Sequence, residues 1–195
     1  QQASDSHLED LGSRAFLVNY DSFMWYPAEV DVSIRPGWFY HKKENRRVRS
    51  LENLLRIYYG SVGGNSLLLL NIPPDTEGLL HETDVRRLKE LGDEIKKGVQ
   101  LPALVSNVSA APHEAGHGPE NLLTGEADFY TPAEAAKRYE VIQEFTQAQK
   151  IDKVLIKEQC AFSQRIETYR IYARLEGRET LVYEGTTVGI CRFAI

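Results

Sequence analysis

The chain has 195 residues, 42% of them hydrophobic and 26% charged, and a formal net charge of −5. That length accommodates one large domain or two small ones, and the composition suffices for a folded core rather than disorder. The negative balance speaks against a nucleic-acid backbone binder, which is normally basic, and apolar runs such as Leu67–Leu70 fall far short of a membrane span.

Cys160 and Cys191 stand far apart without CxxC spacing. They are too sparse for a disulfide scaffold or a zinc ribbon, and either one bridge or two free, buried thiols fits them. The chain opens on Gln1-Gln2-Ala3 with neither a methionine nor a signal-peptide apolar segment, as expected of a processed chain or a fragment.

In chain order, the spacing predicts strands over Ala15–Val18 and Val30–Ile34. Ser50 then reads as an N-cap, followed by Leu51, Leu54, Leu55, Tyr58 and Val62 at helical spacing. Gly60, Gly63 and Gly64 end that helix. The run Ser66–Ile72, closed by Pro73-Pro74, predicts a strand buried on both faces, as in a parallel sheet. A second helix should carry Val85, Leu88, Leu91 and Ile95 on one face and end at Lys96, Lys97 and Gly98. The order β-α-β-α is the unit of α/β barrels and doubly wound sheets. A half with a different periodicity begins near residues 98–120. Short β-prone runs at 139–146, 151–159, 168–175, 180–184 and 186–194 suggest an antiparallel sandwich.

The densest chemistry lies in Trp25 to His41, where Glu29, Asp31, Arg35, His41 and the aromatic residues Trp25, Tyr26, Trp38, Phe39 and Tyr40 crowd together. Aromatic faces suit the C–H face of a pyranose, and charged groups suit its hydroxyls. Glu29, Asp31 and Ser33 alternate with Val30, Val32 and Ile34, so one strand face is polar. At the C-terminal end of a barrel strand such a cluster reads as a site. It reads equally as core aromatics with structurally paired charges.

The stretch Pro27-Ala28-Glu29 through Asp31-Val32-Ser33-Ile34-Arg35-Pro36-Gly37-Trp38-Phe39-Tyr40-His41 resembles the signature of family 29 α-L-fucosidases, in the branch of many bacterial and plant enzymes. The pieces Leu54–Gly63, Leu68–Leu79 and Asp84–Asp93 are similar to that family at matching spacing, so the likeness is nearly continuous over residues 25–97. It implies that residues 1–100 are the last βα units of a (β/α)8-like barrel. Residues 103–195 would then form a discoidin-like β-sandwich, carried by Gly118–Gly125, Gln164-Arg165-Ile166 and Gly185–Gly189. Phe129-Tyr130-Thr131-Pro132 departs from the Tyr-Trp pair usual there. Both ends read as cut.

The resemblance further implies a retaining exo-glycosidase acting on fucosylated oligosaccharides or glycoconjugates, without metal or organic cofactor, in an extracellular or periplasmic setting. Its nucleophilic aspartate would lie upstream of Gln1, so the chain alone should be inactive. Glu29 is the one carboxylate here eligible as acid/base. Otherwise Glu29 and Asp31 bind or orient the sugar, and Trp38 forms the wall against the fucose methyl group. Arg35 reads as a structural ion-pair partner, His41 as a loop residue, and Asn71, Asp75 and Pro73-Pro74 as shaping the turn after a strand.

Two motifs compete. Gly60-Ser61-Val62-Gly63-Gly64-Asn65 lacks the Gly-Lys-Ser/Thr ending of a phosphate loop and precedes a strand. His113-Glu114-Ala115-Gly116-His117 is a literal HExxH, the zinc-peptidase motif, which requires a helix to align both histidines. Pro112, Gly116, Gly118 and Pro119 predict a turn instead. A non-catalytic carbohydrate-binding module is the remaining alternative, with the sandwich as its functional part.

Overall fold

A computed structural model of the chain describes residues 13–24, 26–98, 105–124 and 128–195. Trp25 and Gly125 fall outside the described residues. Contacts divide the molecule into two compact units, residues 1–99 with 153–195, and residues 100–152.

The first unit starts with a short helix, α1 (Arg14–Leu17), where a strand was expected over Ala15–Val18. The Ser13 hydroxyl accepts the Phe16 backbone N–H at 3.2 Å and turns the chain before the apolar run can extend. Next come β1 (Glu29–Ser33), α2 (Leu51–Ser61), β2 (Leu67–Asn71) and α3 (Glu82–Gly98), the β-α-β-α order read from the sequence. Ser50 caps α2 by accepting from the Asn53 N–H at 3.2 Å. The strands pair in parallel, from Glu29 opposite Leu67 to Ser33 opposite Asn71.

The core forms where Ile34, Leu54 and Leu91 meet, with Leu70, Ile72, Leu88 and Ile95 packed around them. Two expectations change here. Val85 is 48% exposed, because the inward stripe of α3 is Asp84, Leu88, Leu91 and Ile95, and Val85 lies about 100° round the helix from Asp84. β2 is not buried on both faces either, since Leu67 and Leu69 are 59% and 49% exposed. Leu70 packs toward the helices, whereas Leu67 and Leu69 share the open face with Glu29 and Asp31.

In chain order the rest of the molecule carries β3 (Val105–Ala110), β4 (Val141–Phe145), β5 (Val154–Ile156), β6 (Tyr169–Leu175), β7 (Arg178–Gly185) and β8 (Arg192–Ala194). Each of the five β-prone runs overlaps one of these strands. β3 was not among them, its apolar positions being too few to alternate. All three pairs, β3–β4, β5–β8 and β6–β7, are antiparallel. The β6–β7 hairpin turns on Glu176-Gly177, both at positive φ (51° and 77°), the backbone of a tight two-residue hairpin turn.

Residues 153–195 group with the first hundred for a local reason. Asn65 donates to the Val188 carbonyl at 2.9 Å and accepts from the Cys191 N–H at 3.0 Å. Phe193, nearly buried, sits edge-on to Tyr59 with centroids 4.9 Å apart. The Glu158 carboxylate accepts the backbone N–H groups of Arg165, Ile166 and Gly189, joining two loops. The two cysteines form no disulfide, and only Cys191 is buried; Cys160 opens an exposed 3₁₀ turn over Cys160–Phe162, contrary to the expectation of two buried thiols.

In the second unit β3 pairs with β4 and packs against a 3₁₀ turn at Pro119–Leu123. The HExxH segment is not helical. His113 forms an isolated bridge with Pro132, Gly116 turns at φ 82°, and the His117 ring stacks on Phe129 at 4.2 Å.

Candidate active site

At the C-terminal end of β1 the chain leaves the sheet as a loop, Ile34 to His41, that carries Arg35, Trp38, Phe39, Tyr40 and His41 of the predicted cluster. Its first half is pinned to β2. The Asn71 side-chain N–H donates to the Ser33 hydroxyl and to the Trp38 carbonyl, both at 3.0 Å, and the Ser33 hydroxyl donates to the Gly37 carbonyl at 2.8 Å. The parallel register sets Ser33 opposite Asn71, so this clamp follows directly from strand pairing. Trp38 is thereby fixed by its backbone while the residue stays 51% exposed.

The second half is pinned from below by Arg35. Arg35 and Asp84 are both fully buried and meet at 2.8 Å, guanidinium Nε to carboxylate. Removing one member of such a pair strands a buried charge and costs about 3–5 kcal/mol. Arg35 also donates from Nη1 to the Asn45 side-chain carbonyl at 3.0 Å and to the His41 carbonyl at 3.5 Å, and lies 4.8 Å from the Tyr40 ring centroid. Because the Asn45 oxygen faces Arg35, its amide N–H₂ faces His81 Nε2 at 2.8 Å. On the other side of the ring, Nδ1 accepts the Thr83 backbone N–H at 3.2 Å and lies 2.9 Å from the Thr83 hydroxyl.

The predicted site residues thus part company. Trp38, Phe39 and Tyr40 share one loop, and Arg35 is the structural ion-pair partner its sequence context suggested. Glu29 and Asp31 are exposed on the open face of β1. Four residues at about 3.3 Å each put Glu29 roughly 13 Å along the strand from Ser33, at the end away from Trp38. His41 contributes its carbonyl rather than its ring to this network. Asp75 accepts the N–H groups of Glu77 and Leu79, closing the turn after β2, and Pro73 is buried beneath it. Sequence reasoning missed Asp84, Asn45 and His81. Their partners lie 10 to 49 residues away, and a first-turn aspartate is usually explained by the helix dipole.

An apolar cavity of about 810 Å³ lies against α2, lined by Leu51, Leu55, Tyr59 and Ile195 among others, and takes in none of the Ile34–His41 loop. Among the described residues no group of three or more His, Cys, Asp or Glu side chains is arranged to hold a metal ion.

A family model described as Alpha-L-fucosidase matches residues 18–98, the span that builds this loop and its supports. The chain belongs to the family 29 α-L-fucosidases. It is 36% identical over 174 residues to alpha-L-fucosidase 1 of Arabidopsis thaliana, which covers 85% of the chain and 34% of the relative. A relative from Oryza sativa subsp. japonica is 34% identical over 86% of the chain and 34% of its own length. The chain therefore spans about a third of the length of these family members. Among solved structures, the Ruminococcus gnavus GH29 fucosidase in complex with fucose superposes with a TM-score of 0.79 at 29% identity, covering 89% of this chain and 36% of that one. SpGH29 superposes at 0.74 with 30% identity, covering 86% and 37%. No family member among these matches supports the zinc-peptidase reading, and the turn at His113–His117 supplies no helix face for it.

Proposed function

We propose that this chain is the C-terminal part of a retaining exo-α-L-fucosidase and that Trp38 forms part of the wall holding the sugar. The observation that carries the reading is the placement of Trp38: a half-exposed residue on a loop clamped by Ser33 and Asn71 at the C-terminal end of a parallel strand pair. Such strand ends are where α/β barrels assemble their sites. A fixed indole offers a flat apolar surface to the methyl group and C–H face of fucose without a large entropy cost on binding.

Retention requires two carboxyl groups about 5–5.5 Å apart, one attacking the anomeric carbon and the other protonating the leaving oxygen. In this reading the nucleophile belongs to the part of the fold upstream of Gln1. Glu29, set at the far end of β1, lines the sheet face instead of serving as acid/base, and Asp31 lies nearer the loop. Residues 1–100 would be the last βα units of a (β/α)8-like barrel and the stretch from 103 a discoidin-like sandwich, supported by the parallel β1–β2 pair and by the antiparallel strands that follow. An extracellular or periplasmic setting goes with fucosylated glycans as substrates.

The test is a titration of the chain with L-fucose, followed by tryptophan fluorescence and compared with L-galactose, which carries a hydroxymethyl group where fucose has its methyl. A saturable response to L-fucose, several-fold weaker for L-galactose, lost in Trp38→Ala and kept in Glu29→Gln, is expected. Equal responses to both sugars would remove Trp38 from the methyl wall. The chain should also fail to release nitrophenol from 4-nitrophenyl α-L-fucoside, and steady turnover would place a complete catalytic pair within these 195 residues.

A further inference from the structure

We infer that Asp84 is a positioning residue for Trp38, acting at a distance through Arg35 and Asn45. The inference rests on the reading of Trp38 as a sugar-contacting side chain, but its geometry can be tested without sugar. An aspartate in the first turn of a helix normally points to solvent, where it complements the helix dipole. Asp84 is fully buried instead and directed at Arg35, 49 residues earlier in the chain. The Arg35 guanidinium is a rigid plane, so fixing Nε fixes Nη1 and the face turned to Tyr40 together.

The loop is then held on both sides of its exposed apex. Ser33 and Asn71 secure Gly37 and Trp38 from one side. Arg35 secures Tyr40, His41 and Asn45 from the other. Arg35 Nη2 and Asp84 Oδ1 are buried without a hydrogen-bond partner among the described residues, so the ion pair is joined at a single point. A guanidinium tethered at one nitrogen loses its orientation when that contact goes. Buried ion pairs can often be replaced by apolar side chains of similar volume without loss of stability. That separates the two roles: an apolar pair can fill the space, but it has no donor for Asn45 or for the His41 carbonyl.

The experiment uses the chain labelled with 5-fluorotryptophan. Fluorine NMR gives a ring resonance for each tryptophan, and that of Trp38 is identified by its loss in Trp38→Phe. The variants are Asp84→Asn and the double variant Arg35→Met/Asp84→Leu. In the double variant the thermal midpoint is expected to stay close to that of the unmodified chain. The Trp38 resonance is expected to move at least halfway toward free 5-fluorotryptophan. An unmoved Trp38 resonance in a cooperatively melting double variant would overturn the inference and leave the pair a purely structural one. If the double variant shows no cooperative melt, Asp84→Asn measured well below its own midpoint decides the matter by the same two outcomes. Titration of the unmodified chain with L-fucose is read separately. A Trp38 resonance indifferent to fucose would sink the sugar reading, while the variant spectra still report whether Asp84 sets the loop.

Discussion

Asn65 holds the C-terminal residues of the first unit, and its replacement has a magnitude that can be worked out. Its backbone is left-handed, φ 65°, and its side chain bonds Val188 and Cys191. Each hydrogen bond is worth about 0.5–1 kcal/mol net, the lower end applying because the side chain is partly solvated. Alanine keeps a Cβ at positive φ but loses the short polar side chain that lets asparagine tolerate the left-handed region, a strain of about 1 kcal/mol relative to glycine. Asn65→Ala should therefore weaken the attachment of the tail by about 2–3 kcal/mol and Asn65→Gly by about 1–2 kcal/mol. At 1.4 kcal/mol per tenfold, backbone amide protection over Arg192–Ala194 should fall by roughly 30- to 150-fold and 5- to 30-fold respectively. Hydrogen exchange followed by mass spectrometry measures both. Equal losses for the two variants would refute the strain component. Unchanged protection in both would show that these two bonds do not hold the tail.

Gly63 gives an independent test of the same packing. A Cβ there would press on the Tyr59 carbonyl and lie 2.7 Å from the Phe193 ring, so Gly63→Ala is expected to lower stability by about 1–3 kcal/mol in a urea melt. Cys160 offers a pH prediction. Partial burial, and then the neighbouring Glu158 carboxylate, push its thiol above the ordinary cysteine value. A raised pKa means less thiolate at a given pH, so alkylation by iodoacetamide at pH 8 should run slower than for a cysteine in an unstructured peptide. Its rate should still be climbing where the peptide's has levelled off. Buried Cys191 should react only as the chain unfolds.

The parts of the fold that were legible in the sequence are those fixed by short-range periodicity. Ser50 announces α2 because an N-cap hydroxyl needs only the N–H three residues on, a contact written within four letters. β1 and β2 were legible because valine and leucine runs have few other uses at that length. Which face of β2 is covered was not legible, since four leucines in a row carry no alternation. The exposed Leu67 and Leu69 had to be located by the register with Glu29 and Asp31. Ala15–Val18 shows the converse: four apolar residues read as strand until a single serine hydroxyl outweighs them.

The candidate site divides along the same line. Trp38 and its neighbours stand together in the sequence, so composition alone pointed to them. The side chains that support the loop do not, and the reason is physical rather than a matter of pattern strength. Glu82, Asp84, Lys96 and Lys97 sit at the ends of α3 with the signs that the helix dipole favours, and that account is complete for each when taken alone. Only the phase of the helix separates them. Leu88, Leu91 and Ile95 set the inward direction, and stepping back from Leu88 by four residues arrives at Asp84, not Val85. A charge on the inward stripe of an amphipathic helix must have a partner or be neutralised. One cation at the end of β1, Arg35, sits next to the exposed Trp38 loop and meets that need. The stripe was therefore available in the letters, and the demand it creates for a buried cation is the step that leads from the helix to the site.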